Sequence, residues 1–237
     1  MGRIFETRKA TMFKRYAKMA KAFTKLGREI VIAVKTGGPN PESNPRLRMI
    51  IQNAKAINMP KANVESAIKR ASEKDSGSFD EIIYEGYAPH GVPVMVECTT
   101  NNPTRTVANV RLYFNRANGA MGTNGSVSFM FEHVVFFKID ATGLNKDDLE
   151  LELIDFGLED INLDEENNQF IIQTQFTDFG KMQSALEERK INVIETSKTY
   201  LPTTTKELTP EQEAEVMAMI EKMEEDDDIE AVYHNIA

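Results

Sequence analysis

Val134-Val135-Phe136-Phe137-Lys138-Ile139 opens the run of elements that decides the fold. Its β-branched and aromatic residues mark a strand. Lys146 to Phe156 reads as a helix. Asp160–Leu163 and Phe170–Phe176 read as strands on either side of the polar turn Asp164-Glu165-Glu166-Asn167-Asn168. Phe179 to Lys190 is a second helix and Val193 to Tyr200 a last strand. The order is β-α-β-β-α-β, the ferredoxin-like arrangement. Such a fold carries many functions and names none.

Beyond it, Pro202-Thr203-Thr204-Thr205 reads as a linker. Thr209-Pro210-Glu211-Gln212 opens another helix, with Val216, Ile220 and Met223 on one face, and Ile229–His234 is a strand. One helix and one strand make no core of their own. They are expected to return to residues 79–132 and complete a sheet there. That earlier stretch holds a hairpin, Ile82–Tyr87 and Val92–Cys98, around Ala88-Pro89-His90-Gly91. Asn102 caps a helix with Pro103 at its first position and Val107, Val110 and Phe114 along one face. A glycine-rich loop, Gly119–Gly125, then leads into a strand over Val127–Phe131.

Residues 1–78 are helical in pattern. A polar arm, Gly2–Thr11, precedes a helix from about Met12 to Lys35, stopped by Gly37-Gly38-Pro39-Asn40-Pro41. Asn44-Pro45 starts a second helix with Leu47, Ile50, Ile51 and Ala54 inward. Met59-Pro60 starts a third with Val64, Ile68 and Ala71 inward, and Lys74–Ser78 is a polar linker. The fold class is therefore α+β: a three-helix N-terminal domain and two α/β sandwich-type domains, one of them ferredoxin-like. The expected domains are 1–78, then 79–132 with 203–237, then 133–202.

Within the first helix, apolar residues fall at Met12, Tyr16, Met19, Phe23, Leu26, Ile30 and Ala33. Basic residues fall at Lys14, Lys18, Lys21, Lys25 and Arg28, displaced by two positions, which is about 200° around a helix. One face is a packing stripe and the opposite face a basic ridge. Two readings stand: a solvated surface, or a grip on phosphates. Charge is also segregated along the chain. Residues 1–75 hold 17 Lys and Arg against 6 Asp and Glu, a net of +11, and the remainder holds 11 against 31, a net of −20. That split suits a polyanion-binding module joined to an acidic body. It equally suits a basic head docked on its own acidic body.

No apolar run approaches the length of a membrane span, and no secretory signal is recognisable at the start. Cys98 is the lone cysteine, which suits a reducing compartment and a buried structural role. His90, His133 and His234 lack metal-ligand spacing. Glu224–Asp228 is a run of five carboxylates, by default a solvated helix end, without calcium-loop spacing. Gly119–Gly125 lacks the Gly-Lys-Ser/Thr ending of a phosphate-binding loop and leads into a strand, so a tight turn needing positive φ is expected. Thr99–Thr106 joins a strand end to a helix start, where N–H groups favour an anion, and Thr100, Asn102 and Arg105 form a candidate anion site. The competing reading is a capped turn whose arginine makes a salt bridge within the domain. No nucleophile–base pairing stands out, so no catalytic residue, metal site or cofactor is expected.

Several blocks resemble a known family. Gly91-Val92 to Glu97, Thr100-Asn101-Asn102-Pro103-Thr104-Arg105-Thr106, Val110-Arg111, Phe114, and Gly119, Gly122 and Gly125-Ser126-Val127 are similar to the core signature of the YebC family. So are Phe23-Thr24-Lys25-Leu26, Asn44-Pro45-Arg46-Leu47-Arg48 and Asn58-Met59-Pro60-Lys61-Ala62-Asn63-Val64. The resemblance spans nearly the whole chain. Asn101 replaces the family's usual Asp, and Thr104 its second Asn. The usual opening Ala-Gly-His-Ser-Lys-Trp is replaced by Met1-Gly2-Arg3-Ile4-Phe5-Glu6. The resemblance implies three domains and a DNA-binding transcriptional regulator of the bacterial cytoplasm. The family also includes a mitochondrial translational activator, and bacterial members are linked to ribosomes, so ribosomal RNA and ribosomal proteins are the alternative partners. On either reading the expected phosphate contacts are Arg3, Arg8, Lys9, Lys14, Arg15, Lys18, Lys21, Lys25, Arg28, Lys55, Lys61, Lys69 and Arg70. The oligomeric state is left open.

Overall fold

The structure is a computed structural model that describes residues 3–73 and 77–237, with side chains from Met19 onward. The chain divides into two compact units, 1–78 and 79–237.

Among the described residues the first unit holds three helices: α1 (Arg3–Gly37), α2 (Pro45–Ala56) and α3 (Lys61–Ser72). α1 begins at Arg3, so the expected polar arm is helical over most of its length. No Pro or Gly lies between Arg3 and Leu26 to stop it. The core is Ile30, Ala33 and Val34 of α1, Leu47, Ile50 and Ala54 of α2, and Val64, Ala67 and Ala71 of α3. Asn44 fastens the α1–α2 connection. Its Oδ1 accepts from Leu47 N at 3.1 Å, capping α2. Its Nδ2 donates to Ala33 O at 2.7 Å and Gly38 O at 2.9 Å. Arg48 holds the same loop by donating to the carbonyls of Pro41 and Glu42.

The second unit contains two antiparallel four-stranded sheets. The first has the order β3-β1-β2-β8, from β1 (Asp80–Ala88), β2 (Val92–Thr100), β3 (Ala120–Met121) and β8 (Ile229–His234). Helices α4 (Pro103–Arg116) and α7 (Pro210–Glu224) pack on one face. Val92, Val94, Val96 and Cys98 meet Val110, Phe114, Val216, Ile220 and Met223 there. Met95 points the other way, against Val127, Phe131, Tyr200 and Tyr233. Every residue of β2 is consequently buried, which is why this antiparallel strand reads as a continuous apolar run rather than an alternation.

The second sheet has the order β5-β6-β4-β7, from β4 (Phe131–Asp140), β5 (Leu158–Asp164), β6 (Gln169–Gln175) and β7 (Val193–Pro202). Helices α5 (Lys146–Leu153) and α6 (Phe179–Glu188) supply Leu149, Leu153, Met182, Ala185 and Leu186 to its core. Read in chain order this is βαββαβ with the fourth, first, third and second strands side by side, the ferredoxin-like topology. The fold is α+β, as the pattern of elements implied.

Three local readings change. Val127–Phe131 is not a strand: Ser128–Met130 forms a single 3₁₀ turn and β4 starts at Phe131. The turn is bonded to Glu85, whose carboxylate accepts from Val127 N and Ser128 N. The glycine-rich loop holds the short strand β3, and only Gly125 within it has positive φ, at +86°. Gly119 is required instead by close approach, since a Cβ there would sit 2.6 Å from Tyr87 O. The run Glu224–Asp228 is not simply a solvated helix end. Glu224, Glu225 and Asp227 are exposed, but Asp228 is buried.

Candidate nucleic-acid interface

The expected phosphate contacts fall into three groups. The side chains of Arg3, Arg8, Lys9, Lys14, Arg15 and Lys18 lie outside the described residues. Lys21, Lys25 and Arg28 sit on α1 and are half-buried, each already engaged by another group. Lys55, Lys61, Lys69 and Arg70 are exposed.

This last group is positioned by two short helices. Lys55 lies in the last turn of α2, where a cation also complements the helix dipole. α3 turns its inner stripe, Val64, Ala67 and Ala71, to the core. Lys61, Lys69 and Arg70 are left on its solvent side, with Lys61 and Lys69 two turns apart. Glu65 is the acid between them, 3.4 Å from Lys61 in an exposed pair. Such a pair contributes little and leaves the lysine available. Among the described residues, α3 and the end of α2 therefore present exposed cations, while Lys14 and Lys18 of the α1 ridge lie outside the described side chains.

The second unit holds two arrangements shaped for an anion, and the chain's own carboxylates occupy both. At the start of α4, Asn102 Oδ1 accepts from Arg105 N at 3.1 Å, capping the helix. Thr100 Oγ1 accepts from Asn102 N at 2.9 Å. Asp228 Oδ2 lies 2.6 Å from Arg105 Nη2, 3.1 Å from Arg105 Nε, 3.2 Å from Thr100 Oγ1 and 2.9 Å from Thr106 Oγ1. Burial pushes the Asp228 carboxyl up, but the hydrogen bonds from Arg105, Thr106 and Thr100 outweigh it and hold the group below the usual range. The anion held by Thr100 and Arg105, with Thr106, is thus Asp228, while Asn102 does not touch it and serves as the helix cap. Asp226 extends the contact, accepting from Asn109 Nδ2 and Tyr113 Oη at 3.0 Å each.

The glycine-rich loop is the second case. Glu85, 3 % exposed, accepts from Gly125 N at 2.8 Å, Val127 N at 2.7 Å and Ser128 N at 2.9 Å. Burial opposes its ionisation, and the three backbone N–H groups overcome that and lower its pKa. A backbone nest of this kind suits a phosphate. Here it closes on a glutamate instead. Composition offered no signal for this, because Glu85 lies 40 residues before Gly125.

Two further titratable side chains, His133 and Glu97, are engaged within the fold. His133 is stacked between Phe176 and Tyr200, and burial with nearby Lys198 depresses its pKa. Glu97 accepts from Lys198 Nζ and Tyr233 Oη. Among the described residues no three His, Cys, Asp or Glu side chains gather as metal ligands. No helix among them is long and apolar enough to cross a membrane.

Comparison with known proteins covers the whole chain. A family model described as "TACO1/YebC protein N-terminal domain" matches residues 3–74, and one described as "TACO1/YebC second and third domain" matches 79–236. A probable transcriptional regulatory protein of Flavobacterium psychrophilum is 53 % identical over 236 residues, covering 100 % of this chain and 99 % of its own. One from Anaeromyxobacter dehalogenans is 50 % identical over 240 residues, with both chains covered fully. The crystal structure of a conserved hypothetical protein from Aquifex aeolicus superposes with a TM-score of 0.76 at 38 % identity, covering 93 % of this chain and 91 % of that one.

Proposed function

Because the chain belongs to the TACO1/YebC family, we propose that it is a regulatory protein that binds nucleic acid through its helical N-terminal unit, with DNA as the target and transcription as the process regulated. The observation that carries this reading is the charge division. Residues 1–75 have a net charge of +11 inside a chain of −9. A cationic unit gains affinity by releasing counterions from phosphates, and the excess of exposed Lys and Arg on α3 is suited to that. The names of full-length relatives support a regulatory role. The second unit, with both of its anion-shaped turns filled by Asp228 and Glu85, has no such opening at those places and is assigned to other contacts. We read it as two domains, 79–132 with 203–237 and 133–202, acting in the cytoplasm.

Contacts of this type position a protein on a duplex and read no sequence by themselves. Sequence preference would come from base contacts or from DNA shape. The test is fluorescence anisotropy with a labelled DNA duplex at several salt concentrations, run beside a ribosomal RNA fragment of equal length. Affinity for the duplex is expected to fall with salt at a log–log slope of about −0.9 per phosphate contacted. Indifference to DNA together with tight, salt-sensitive binding to the RNA would replace the DNA reading with a ribosomal one.

A further inference from the structure

A groove of about 440 Å³ lies on the solvent side of the α4–α7 pair. Its walls come from Tyr113, Arg116 and Ala117 of α4 and the segment after it, and from Ala218, Met219 and Lys222 of α7. On the core side the two helices close tightly through Val110, Phe114, Val216 and Ile220. On the solvent side Ala117 and Ala218 face the gap with a methyl group each, too little to fill it. The volume is in the range of small-molecule sites.

The groove is polarised. Arg105 meets Asp228 and Tyr113 meets Asp226, so the two helices run in opposite senses. Lys222, one turn before Asp226, accordingly lies toward Tyr113 and Arg116. Glu215, two turns further back, lies toward Asn118 and is engaged by His90 at 2.8 Å. One end carries Arg116 and Lys222, with Asp226 bonded to Tyr113 and Glu225 to Lys222, over an apolar floor of Tyr113, Ala117 and Met219. The other end carries the carboxylate.

The placement of positive charge here is unusual for this unit. Residues 76–237 hold 11 Lys and Arg against 31 Asp and Glu, yet α4 carries three arginines and no acid. Arg105 is committed to Asp228. The Arg116 side chain has neither a hydrogen bond nor an ion pair among the described residues. Lys222 is paired only with exposed Glu225, an interaction that contributes little. The acids at this end are already engaged, Asp226 by Asn109 and Tyr113 and Glu225 by Lys222, which leaves Arg116 as a cation open to a ligand.

We infer that the α4–α7 groove is a binding site for a small amphipathic anion, an apolar ring or short chain bearing one phosphate or carboxylate group. The apolar body packs on Tyr113 and Met219 between Ala117 and Ala218. The anionic group is held by Arg116 and Lys222, and Glu215 disfavours the reversed orientation. This site belongs to the second unit, and it does not rest on the proposed nucleic-acid reading of the first.

The test uses the full chain with methionine methyls labelled with carbon-13, the Met219 signal being identified from a Met219→Leu variant. Phenyl phosphate, benzoate, benzyl alcohol and inorganic phosphate are titrated separately. The expected result is a saturable shift of the Met219 methyl by phenyl phosphate or benzoate in the millimolar range or below, about tenfold tighter than by benzyl alcohol or inorganic phosphate. The double variant Arg116→Gln, Lys222→Gln should reduce the charged probes to the level of benzyl alcohol. Ala218→Leu, which fills the groove and leaves every charge in place, should remove binding of all of them. Equal binding of benzyl alcohol, unchanged binding in Ala218→Leu, or no shift with any probe would each overturn the proposal.

Discussion

Arg105 and Asp228 lie 123 residues apart in the chain, and their charged ends meet at 2.6 Å. The contact fastens the segment after α7, and with it strand β8, to the N-terminus of α4. Asp228 is the better buried partner, its side chain 8 % exposed against 48 % for Arg105. That asymmetry makes the two residues unequal in what their removal would cost.

Asp228→Ala should lower the stability of the second unit by about 3 kcal/mol, because Thr100, Thr106 and Arg105 lose one shared acceptor in a buried setting. Arg105→Ala should cost clearly less, since Thr100 and Thr106 still satisfy the carboxylate. Urea unfolding monitored by circular dichroism measures both. An equal destabilisation in the two variants would contradict the assignment of Asp228 as the anchor.

Glu85 and Asp228 should give the protein an acid-sensitive limb. Both carboxyls sit below their ordinary values of 4.5 and 3.8 in the folded state. A lowered folded pKa means that the unfolded chain binds protons first as pH falls. Their contribution is therefore complete above about pH 5.5, where even the unfolded carboxyls are ionised, and is lost on descending through the ordinary values toward the folded ones. Glu85→Gln should destabilise the protein at neutral pH by about 2 kcal/mol, since its amide group presents N–H to N–H, and should flatten the pH dependence of the urea midpoint between about pH 3 and 5. An acid limb as steep as that of the unaltered protein would assign it to other groups.

Asn44→Ala should weaken the first unit by about 2 kcal/mol. It removes the cap on α2 and the side-chain amide donor to the Ala33 and Gly38 carbonyls, of which Ala33 O keeps Thr36 Oγ1. Hydrogen exchange should locate the weakening in α1 and α2 and leave the amides of β2 protected. A uniform drop in protection across both units would show that they do not open separately.

Cys98 should be inert. It is fully buried in β2, and burial with the nearby Asp226 and Asp228 carboxylates pushes its thiol pKa well above the ordinary value. Only the thiolate reacts with disulfide reagents. Modification by a chromogenic disulfide should proceed at the rate of unfolding in native buffer and immediately in denaturant. Rapid labelling of the native protein would be incompatible with its burial.

Reversing Lys61, Lys69 and Arg70 to Glu should weaken duplex binding at least tenfold and make the salt slope shallower by about 0.9 for each phosphate no longer neutralised. Circular dichroism should be unchanged, since all three are exposed. If the slope stays the same, the contact surface lies on α1 instead.

Much of the fold is legible in the sequence because its signals are local. Asn44-Pro45, Asn102-Pro103 and Thr209-Pro210 each start a helix where a side-chain oxygen caps the first turn, and in each the acceptor and donor are three residues apart. The strands of the βαββαβ segment announce themselves through runs such as Val134–Ile139. The start of α1 is harder to place, because polarity alone suggests an arm although no breaker separates Arg3 from Leu26. The 3₁₀ turn at Ser128–Met130 is hidden because Val127–Phe131 has strand composition and yields to a carboxylate more than 40 residues away.

The candidate surfaces divide in the same way. Charge segregation and family resemblance are properties of the amino-acid order, and they point to the first unit without coordinates. Helical periodicity places Lys61, Lys69 and Arg70 outward from the spacing of Val64, Ile68 and Ala71, although the structure buries Ala67 more fully than Ile68. By contrast, nothing in the order of residues distinguishes Asp228 from its four acidic neighbours, or Glu85 from the other glutamates of the hairpin. An ionised carboxylate is stabilised by whichever donors surround it in space. Those donors come from Thr100, Arg105 and Thr106 in one case and from the backbone of Gly125, Val127 and Ser128 in the other. The sequence by itself determined most of the elements, their order and the sign of each unit's charge. Only the tertiary structure decided which charges the fold consumes and which it leaves facing solvent, because that depends on contacts between residues far apart in the chain.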